Sequence, residues 1–450
     1  MRRIFNAGEI LDQAAMKKGL DELILMENAG AALARVVRKK SKKFKRARVL
    51  FLLGGGKNAA DGLVALRHLS GAEAYKLGFR ECGIFKKQEE ILKNYGFEFL
   101  EKEPDFEKFD LIVDCIFGRG FRGDLDAKTA ELIQKASSCK AFKIACDLPS
   151  GLGSGVCFRA DLTLCMGALK ESLLEDFAKE SVGRLRVAHL GVEERHFAPS
   201  PEGYLLQKKD LRLIERKGCS NKGDYGHVCI AGSASAGTLA GLGALEFGAG
   251  LVSLVGNKSF SPLLMLKDKI AADASAAALG MGLEDLEILR DGILQNIPLV
   301  LDAACFSSEE ILPFLRRPDV VLTPHPKEFT RLYRLCFGED LSVEAVQKNR
   351  FFYARKFARA HPCVLILKGA NPIIVQNEAL FVVDCGTAAL AKGGSGDVLA
   401  GMVAALLGAG FAPLEAAKNA VLAHALVAQK YRFNANSFDA LKLIEGLKCL

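Results

Sequence analysis

The stretch AKGGSGDVLAGMVAALL, residues 391–407, decides how the chain must be read. Three glycines and a serine stand immediately before a run of apolar residues with helical spacing. Unpaired backbone N–H groups at such a helix start can face an anion, and glycine lets a phosphate come close. Asp397 falls in the first turn beside that position, where a carboxylate can act as general base on a hydroxyl attacking a phosphate. An ordinary helix start, with Asp397 merely complementing the dipole, explains the same letters. The surroundings have to decide.

Around this stretch short apolar, β-rich runs alternate with helical patterns, the rhythm of βαβ units on a mostly parallel sheet. Strands are predicted at 226–233, 251–256, 298–305, 319–325 and 363–370, with a helix around 237–249 and a hairpin through NPIIVQNEALFVVD. Lys368, in ILKGAN (366–371), ends one strand; His325, in TPHPKEF (323–329), ends another between two prolines; Asp302 ends a third. Ligands of open α/β sheets bind at these strand ends, so the set is a candidate substrate and phosphate site.

The first half repeats the alternation with different letters. Strands are predicted at 48–55, 110–118, 142–151, 160–167 and 183–192, with helices around 20–40 and 61–70. LLGGGKNAADGLVALRHL (52–69) reads as strand, Gly-rich turn and helix, but lacks GxGxxG spacing. DCIFGRGFRGD (114–124) and CDLPSG (146–151) each carry a strand end into a loop. Asn58, Asp114 and Ser150 can supply hard oxygen ligands to a monovalent cation there; turns capped by Asp and Ser explain them as well. Charged, Pro- and Gly-containing sequence between 193 and 222 marks a boundary near residue 205. Two different α/β domains are expected, 1–205 and 206–450.

Composition excludes other classes. At 450 residues, 50% hydrophobic and 25% charged, the chain is globular and not disordered or collagen-like. No apolar run reaches the roughly 18–20 residues of a membrane helix, and MRRIFNAGEILDQ has no h-region, so a cytoplasmic protein without membrane partner is expected. Thirteen cysteines without metal spacing read as reduced thiols. The net charge of +8 is mild, and the basic run RKKSKKFKRAR (38–48) reads as the cationic end of a surface helix; no nucleic-acid partner is expected.

In order, NKGDYGHV, GSASAGTLAGLGALEFGAGLVSL, LGMGL, LVLDA, VLTPHPKEF, LKGA and GGSGDVLAG resemble the NAD(P)H-hydrate dehydratases, a branch of the ribokinase-like fold. The resemblance spans nearly all of 210–450. It implies that a nucleotide phosphoryl group is spent on the hydroxyl of hydrated NADH or NADPH, and that elimination restores the dihydropyridine. It implies ADP as donor, ATP being the eukaryotic choice, with Mg2+ on the phosphates. By motif, Asp397 is the base and contacts the hydrate; Thr238, where the family has Ala, Gly282 and His325 bind it; Lys368, Gly369, Ala370, Asn371, Pro372 and Gly396 hold the nucleotide. A vitamin-precursor kinase of the same fold is the alternative, since it shares the GxGD base.

MENAG (26–30), the Gly-rich turn with DGLVALRHL, VDCIFGRG and DLPSGL with ADLTL resemble the Rossmann-like NAD(P)H-hydrate epimerase domain over roughly 1–195. That resemblance implies interconversion of R and S hydrates, and assembly into a homo-oligomer. It assigns Asn58, Asp114 and Ser150 to K+. It assigns Lys57, Asn58, Ala59, Ala60, Asp61, Gly118, Arg119, Gly120, Phe121, Arg122, Gly123, Asp124 and Asp147 to the hydrate, with Asp147 moving the proton. Where the family turn reads GPGNNGGDG, this chain has GGGKNAADG. Alanine Cβ atoms then stand where backbone approaches substrate or needs positive φ. Either the Lys57 ammonium replaces K+, or the domain is catalytically silent and serves as scaffold.

Overall fold

The computed structural model describes residues 1–5, 9–120, 123–193 and 200–450. The chain divides into two compact units, Arg3–Glu202 and Gly203–Leu450, the latter joined by Met1–Arg2.

The first unit is built on six strands that pair in parallel throughout, in the order Ala72–Lys76, Val49–Leu53, Leu111–Cys115, Phe142–Cys146, Leu162–Met166, Arg184–Ala188. Val49–Leu53 and Leu111–Cys115 are buried at every position, as strands covered by helices on both faces must be. The chain leaves Val49–Leu53 toward Ala72–Lys76 and then crosses back to Leu111–Cys115. Strand order thus reverses between these two, and the loops at their C-terminal ends part to leave a crevice. The helix after the first of them runs Lys57–Arg67, four residues earlier than the pattern at 61–70 implies. Ala59 and Ala60 therefore lie inside a helix and are wholly buried. Alanine favours that conformation, so the feared backbone strain is absent. The basic run begins as expected: Arg38, Lys39 and Lys40 form the last turn of the helix Glu22–Ser41.

The second unit carries seven parallel strands in the order Met265–Lys267, Leu251–Val255, His227–Gly232, Ala276–Met281, Leu299–Leu301, Val320–Leu322, Val364–Leu367. The predicted hairpin, Ile373–Gln376 with Ala379–Val382, continues the sheet antiparallel, and Gly203–Leu205 pairs with its second strand. Among these strands, Ala72–Lys76, Ala276–Met281, Met265–Lys267 and Gly203–Leu205 were not legible from the letters; alternating charge in the first and an alanine run in the second mask the β pattern, and the last two are only three residues long.

The helix Ser395–Gly408 is almost wholly apolar beyond its first turn and packs tightly on the helix Ala234–Glu246. Small residues set that distance: a Cβ on Gly401 would stand 1.9 Å from the Ala240 carbonyl oxygen, and one on Gly243 3.0 Å from Val398. The contact fixes where the first turn of Ser395–Gly408, and hence Asp397, sits. Gly401→Ala gains about 1 kcal/mol of helix propensity but must displace backbone, so a net loss of about 1–3 kcal/mol is expected. Thermal unfolding followed by circular dichroism checks this; an unchanged or raised midpoint contradicts the packing argument.

Candidate active sites

In the second unit five adjacent parallel strands end side by side, and each end contributes. Ser233 follows His227–Gly232, Gly282 follows Ala276–Met281, Asp302 follows Leu299–Leu301, His325 follows Val320–Leu322 and Lys368 follows Val364–Leu367. Lys368 Nζ donates to Asp302 Oδ1 at 3.0 Å and lies 3.7 Å from Glu328 Oε2. A Cβ on Gly396 would stand 3.3 Å from the same Nζ, so the ammonium reaches the first turn of Ser395–Gly408. Burial works against the charged lysine, but the Asp302 and Glu328 carboxylates overcome it and hold the ammonium above its usual range. Asp397, half-buried in that turn, is pushed up to about 6 by burial and by Asp302 and Glu328, against the pull of Lys368.

Beneath the turn, His424 of the helix Pro413–Lys430 places Nε2 3.0 Å from the Ser395 carbonyl oxygen. Burial pushes this imidazole down to about 4, so it is neutral and Nε2–H donates. The loop after Lys368 is held from inside by the fully buried Arg350. Its guanidinium donates to the carbonyls of Asn371 at 3.0 Å, Leu367 at 3.0 Å and Lys368 at 3.1 Å. Gly369 and Ala370 stay exposed, Asn371 is buried and Pro372 half-buried. His325 caps the helix Pro326–Phe337, accepting from Glu328 N at 3.2 Å while Glu328 accepts from His325 N at 2.8 Å. That reciprocal cap fixes Glu328 toward Lys368 and leaves the imidazole 48% exposed, with Nε2 3.3 Å from Glu328 Oε1. Gly282 has φ +66°, and a Cβ there would strike Ser233 Oγ at 2.5 Å. Thr238 is different: its buried hydroxyl donates to Ala234 O at 2.5 Å and accepts from Phe260 N at 3.1 Å, so it serves the fold.

In the first unit the crevice between Val49–Leu53 and Leu111–Cys115 gathers Asn58, Asp114 and Ser150. Asp114 is fully buried and accepts from Ser150 N at 2.7 Å, Ser150 Oγ at 2.5 Å and Ile116 N at 3.1 Å. Burial outweighs these bonds and pushes its carboxyl up to about 6. Asn58 donates to Phe117 O at 2.9 Å, while its buried Oδ1 has no hydrogen-bond partner. Gly118 makes room for this side chain, its missing Cβ lying 3.2 Å from that of Asn58. An orphaned carbonyl oxygen beside a buried carboxylate and a hydroxyl is a donor set that fits K+.

Asp147 ends the strand Phe142–Cys146 in left-handed backbone, φ +66°, a strain of order 1 kcal/mol for a non-glycine residue. Its carboxylate accepts from Met166 N at 3.0 Å and from the buried Lys170 ammonium, and Arg119 Nε stands 3.6 Å away. Arg119 also donates to Asp12 at 3.0 Å. Asp61 is held well above the usual carboxylate range by burial and by the charges of Asp147 and Asp12. Two carboxyl groups in different surroundings thus lie close enough to interact, Asp61 with its proton held more tightly than usual and Asp147 paired with Lys170.

Lys57 is a correction to the sequence reading. Its ammonium is 2.6 Å from Glu22 Oε1 and its side chain is 72% exposed, so it does not stand in for K+. Of the Gly-rich loop, Gly118 and Arg119 reach the site; Gly120, Gly123 and Asp124 are exposed, and Phe121 and Arg122 lie outside the described residues. Asp12, Lys170, Arg350 and His424 had escaped the sequence reading. Lys170 alone had a signal, as the lysine that follows ADLTL; the others are single polar residues in helical patterns.

Fold and sites together define a fusion of two α/β enzymes, each with polar and charged side chains gathered at strand ends. Comparison with known proteins gives the family. Residues 228–448 match the NAD(P)H-hydrate dehydratase model, and residues 22–172 match the YjeF-related protein N-terminus. The chain is 38% identical to the bifunctional NAD(P)H-hydrate repair enzyme Nnr of Helicobacter pylori over 100% of both chains. It is 30% identical to that of Escherichia coli, covering 97% of this chain and 91% of the relative. The chain belongs to the family of bifunctional NAD(P)H-hydrate repair enzymes. Among solved structures, the ADP/ATP-dependent NAD(P)H-hydrate dehydratase of Bacillus subtilis, co-crystallised with ATP and Mg2+, is 29% identical with a TM-score of 0.44 over 53% of this chain and 92% of that one. Among the described residues no cluster of three or more His, Cys, Asp or Glu side chains forms a metal cage. Asp302 and Glu328 fit Mg2+ that enters on a nucleotide, since this ion keeps water and phosphate oxygens and needs few carboxylates.

The raised carboxyl of Asp397 links to stability. Because its folded value, about 6, exceeds the unfolded one, the folded state binds the extra proton and stability falls as pH rises from about 4 to about 6. Asp397→Asn removes this cost, so the variant should be more stable than the parent at pH 7.5, by about 1–3 kcal/mol. At pH 4 the two should converge. A destabilised variant at pH 7.5, measured by urea unfolding, contradicts the assignment.

Proposed function

We propose that the chain repairs hydrated NADH and NADPH, with an epimerase in the domain up to about residue 205 and an ADP-dependent dehydratase beyond it. The observation that carries the reading is the raised Asp397 carboxyl in the first turn of a helix, beside Lys368 at the ends of parallel strands. When ionised, Asp397 takes the proton of the hydrate hydroxyl as that oxygen accepts the β-phosphoryl group of ADP, releasing AMP. The phosphate then leaves from the ring carbon with the C–O electron pair, a ring proton is lost, and the dihydropyridine double bond forms. Lys368 and the backbone N–H groups around Gly396 balance the phosphate charge. His325 and Gly282 place the nicotinamide end, and the loop Lys368–Pro372, staked by Arg350, receives the nucleotide. Magnesium on the nucleotide supplies charge neutralisation at the phosphate oxygens.

In the first domain Asp147, paired with Lys170, and Asp61, whose carboxyl burial holds well above its usual range, serve proton transfer at the epimerised carbon. Asn58, Asp114 and Ser150 hold K+, which supplies a fixed positive charge beside the substrate. The helical, strain-free placement of Ala59 and Ala60 and the orphaned Asn58 Oδ1 support an active rather than a silent domain.

Recovery of reduced-nicotinamide absorbance from a mixed R and S NADH hydrate, with ADP and Mg2+, tests both halves at once. The full chain should run promptly to completion, and Asp147→Asn should stall at the S fraction. Asp397→Asn should lose at least about 100-fold of the rate. The parent's rate should fall as pH drops through about 6, where Asp397 takes up its proton. No recovery with ADP or ATP refutes the dehydratase.

A potassium titration of the epimerase rate tests the cation reading. Stimulation by K+ is expected, Lys57→Asn should leave its midpoint nearly unchanged, and Asn58→Ala should raise it about tenfold or more, the loss of one good ligand. A parent that is indifferent to K+ overturns this assignment.

A further inference from the structure

A cavity of about 410 Å³ opens beside the helix Pro326–Phe337, and nothing in the repair reading so far uses it. One wall is the 3-10 turn Ala303–Ser307, which follows directly on Asp302; the other is the helix that His325 caps. Both walls therefore start at the dehydratase site. Along the helix, residues three or four apart share a face. Glu328, which points to Lys368, is followed on its face by Arg331 and then by Arg334 and Leu335, and these last three line the cavity. With a rise of about 1.5 Å per residue, Arg331 lies about 9 Å and Arg334 about 13 Å along the axis from His325.

The chemistry of the lining is that of a nucleotide end. Phe306, Leu312 and Leu335 give an apolar wall, Ser307 a hydroxyl and Glu309 a carboxylate. Arg331 is exposed, stands 3.4 Å from Ser307 Oγ, and forms no ion pair among the described residues. Arg334 pairs only loosely, 3.4 Å from the exposed Asp340. Two guanidinium groups on one helix face, one without a counter-charge, suit a terminal phosphate, which arginine grips in bidentate fashion. A dinucleotide whose nicotinamide sits at His325 carries its adenosine away from that end, and the protein track leading away is this helix face.

The geometry points to the cavity as the subsite for the distal adenosine of the hydrate, with Arg331 as the residue that grips the 2′-phosphate and so sets a preference for hydrated NADPH over hydrated NADH. This inference rests on the repair reading and names its preferred substrate. Glu309 suits the uncharged adenosine rather than the phosphate. It accepts from an amino or hydroxyl group while Arg331 and Arg334 meet the dianion.

The test compares kcat/KM of the full chain for the S hydrates of NADPH and of NADH, each assayed separately with ADP and Mg2+. The parent should favour NADPH hydrate. Arg331→Ala should lower the NADPH-to-NADH ratio about tenfold or more, through a higher KM for NADPH hydrate with kcat little changed, as loss of a charge-assisted hydrogen bond requires. Arg331→Lys should recover part of the ratio, and Arg359→Ala, an exposed arginine on the helix Arg350–Ala360 paired with Glu378, should leave it where it was. A ratio that Arg331→Ala does not move overturns the subsite. Binding of NADPH and NADH to the same variants, followed by nicotinamide fluorescence, reads the same ratio without turnover. A parent that turns over neither hydrate speaks against the repair reading, while the binding ratio still decides for or against Arg331.

Discussion

Lys368 is a half-buried cation, and the second unit is arranged around the cost of keeping it charged. Removing an ammonium from water costs several kcal/mol, which mutual attraction repays only with close, well-oriented partners. Asp302 comes from the end of one strand, Glu328 from the first turn of a helix that His325 caps, and Lys368 from the end of a third element. Three separate connections must therefore be correct at once for the charge to be tolerated. The ammonium then lies against Gly396, where any side chain would crowd it, and this is what ties the GSGD turn to the strand ends. Burial raises the Asp397 carboxyl, and because the positive charge it meets is already shared by two carboxylates, Lys368 does not reverse that rise.

The first unit uses the same device with different parts. Lys170 pairs with Asp147, Arg119 bridges from Asp147 toward Asp12, and burial with the charges of Asp147 and Asp12 raises the Asp61 carboxyl against the pull of Lys170. In both units a lysine is paired with carboxylates, Lys368 with Asp302 and Glu328 and Lys170 with Asp147, while a further carboxyl, Asp397 or Asp61, is raised. Burial is the largest cause of the rise at Asp397 and at Asp61, and the neighbouring carboxylates add to it. The strained backbone of Asp147 belongs to this arrangement, because its left-handed turn lets the carboxylate accept from Met166 N on the neighbouring strand.

How much of this was legible in the letters follows from which interactions are local. The βαβ rhythm, the hairpin through 373–382 and the positions of Asp302, His325, Lys368 and Asp397 at element ends are set by short-range periodicity and Gly/Pro punctuation, and they read directly. The family resemblance came from the order of those same motifs. Arg350, His424 and Asp12 did not read, because each acts across the fold from within a helix, where such a polar side chain looks like any surface one. The strand Ala276–Met281 hid for the opposite reason: its small side chains are there to let Gly280 lie against Asp302 and the helix Ser395–Gly408 lie close, a packing demand and not a β preference.

The Gly-rich turn of the first unit shows why letters mislead at the start of a helix. Reading KNAAD as loop made two alanines look like obstacles and put the lysine at the cation site. With the helix beginning at Lys57, successive residues point about 100° apart, so Lys57 and Asn58 cannot face the same way. Asn58 turns in to Phe117 and Asp114, Lys57 turns out to Glu22, and Ala59 and Ala60 pack in the core. Glycine at 59 and 60 would leave the same ligands in place and only loosen the helix that presents them. The substitution that looked like damage to the proposed cation site is thus a change in helix stability, and it leaves the three inward-facing side chains of that site in place.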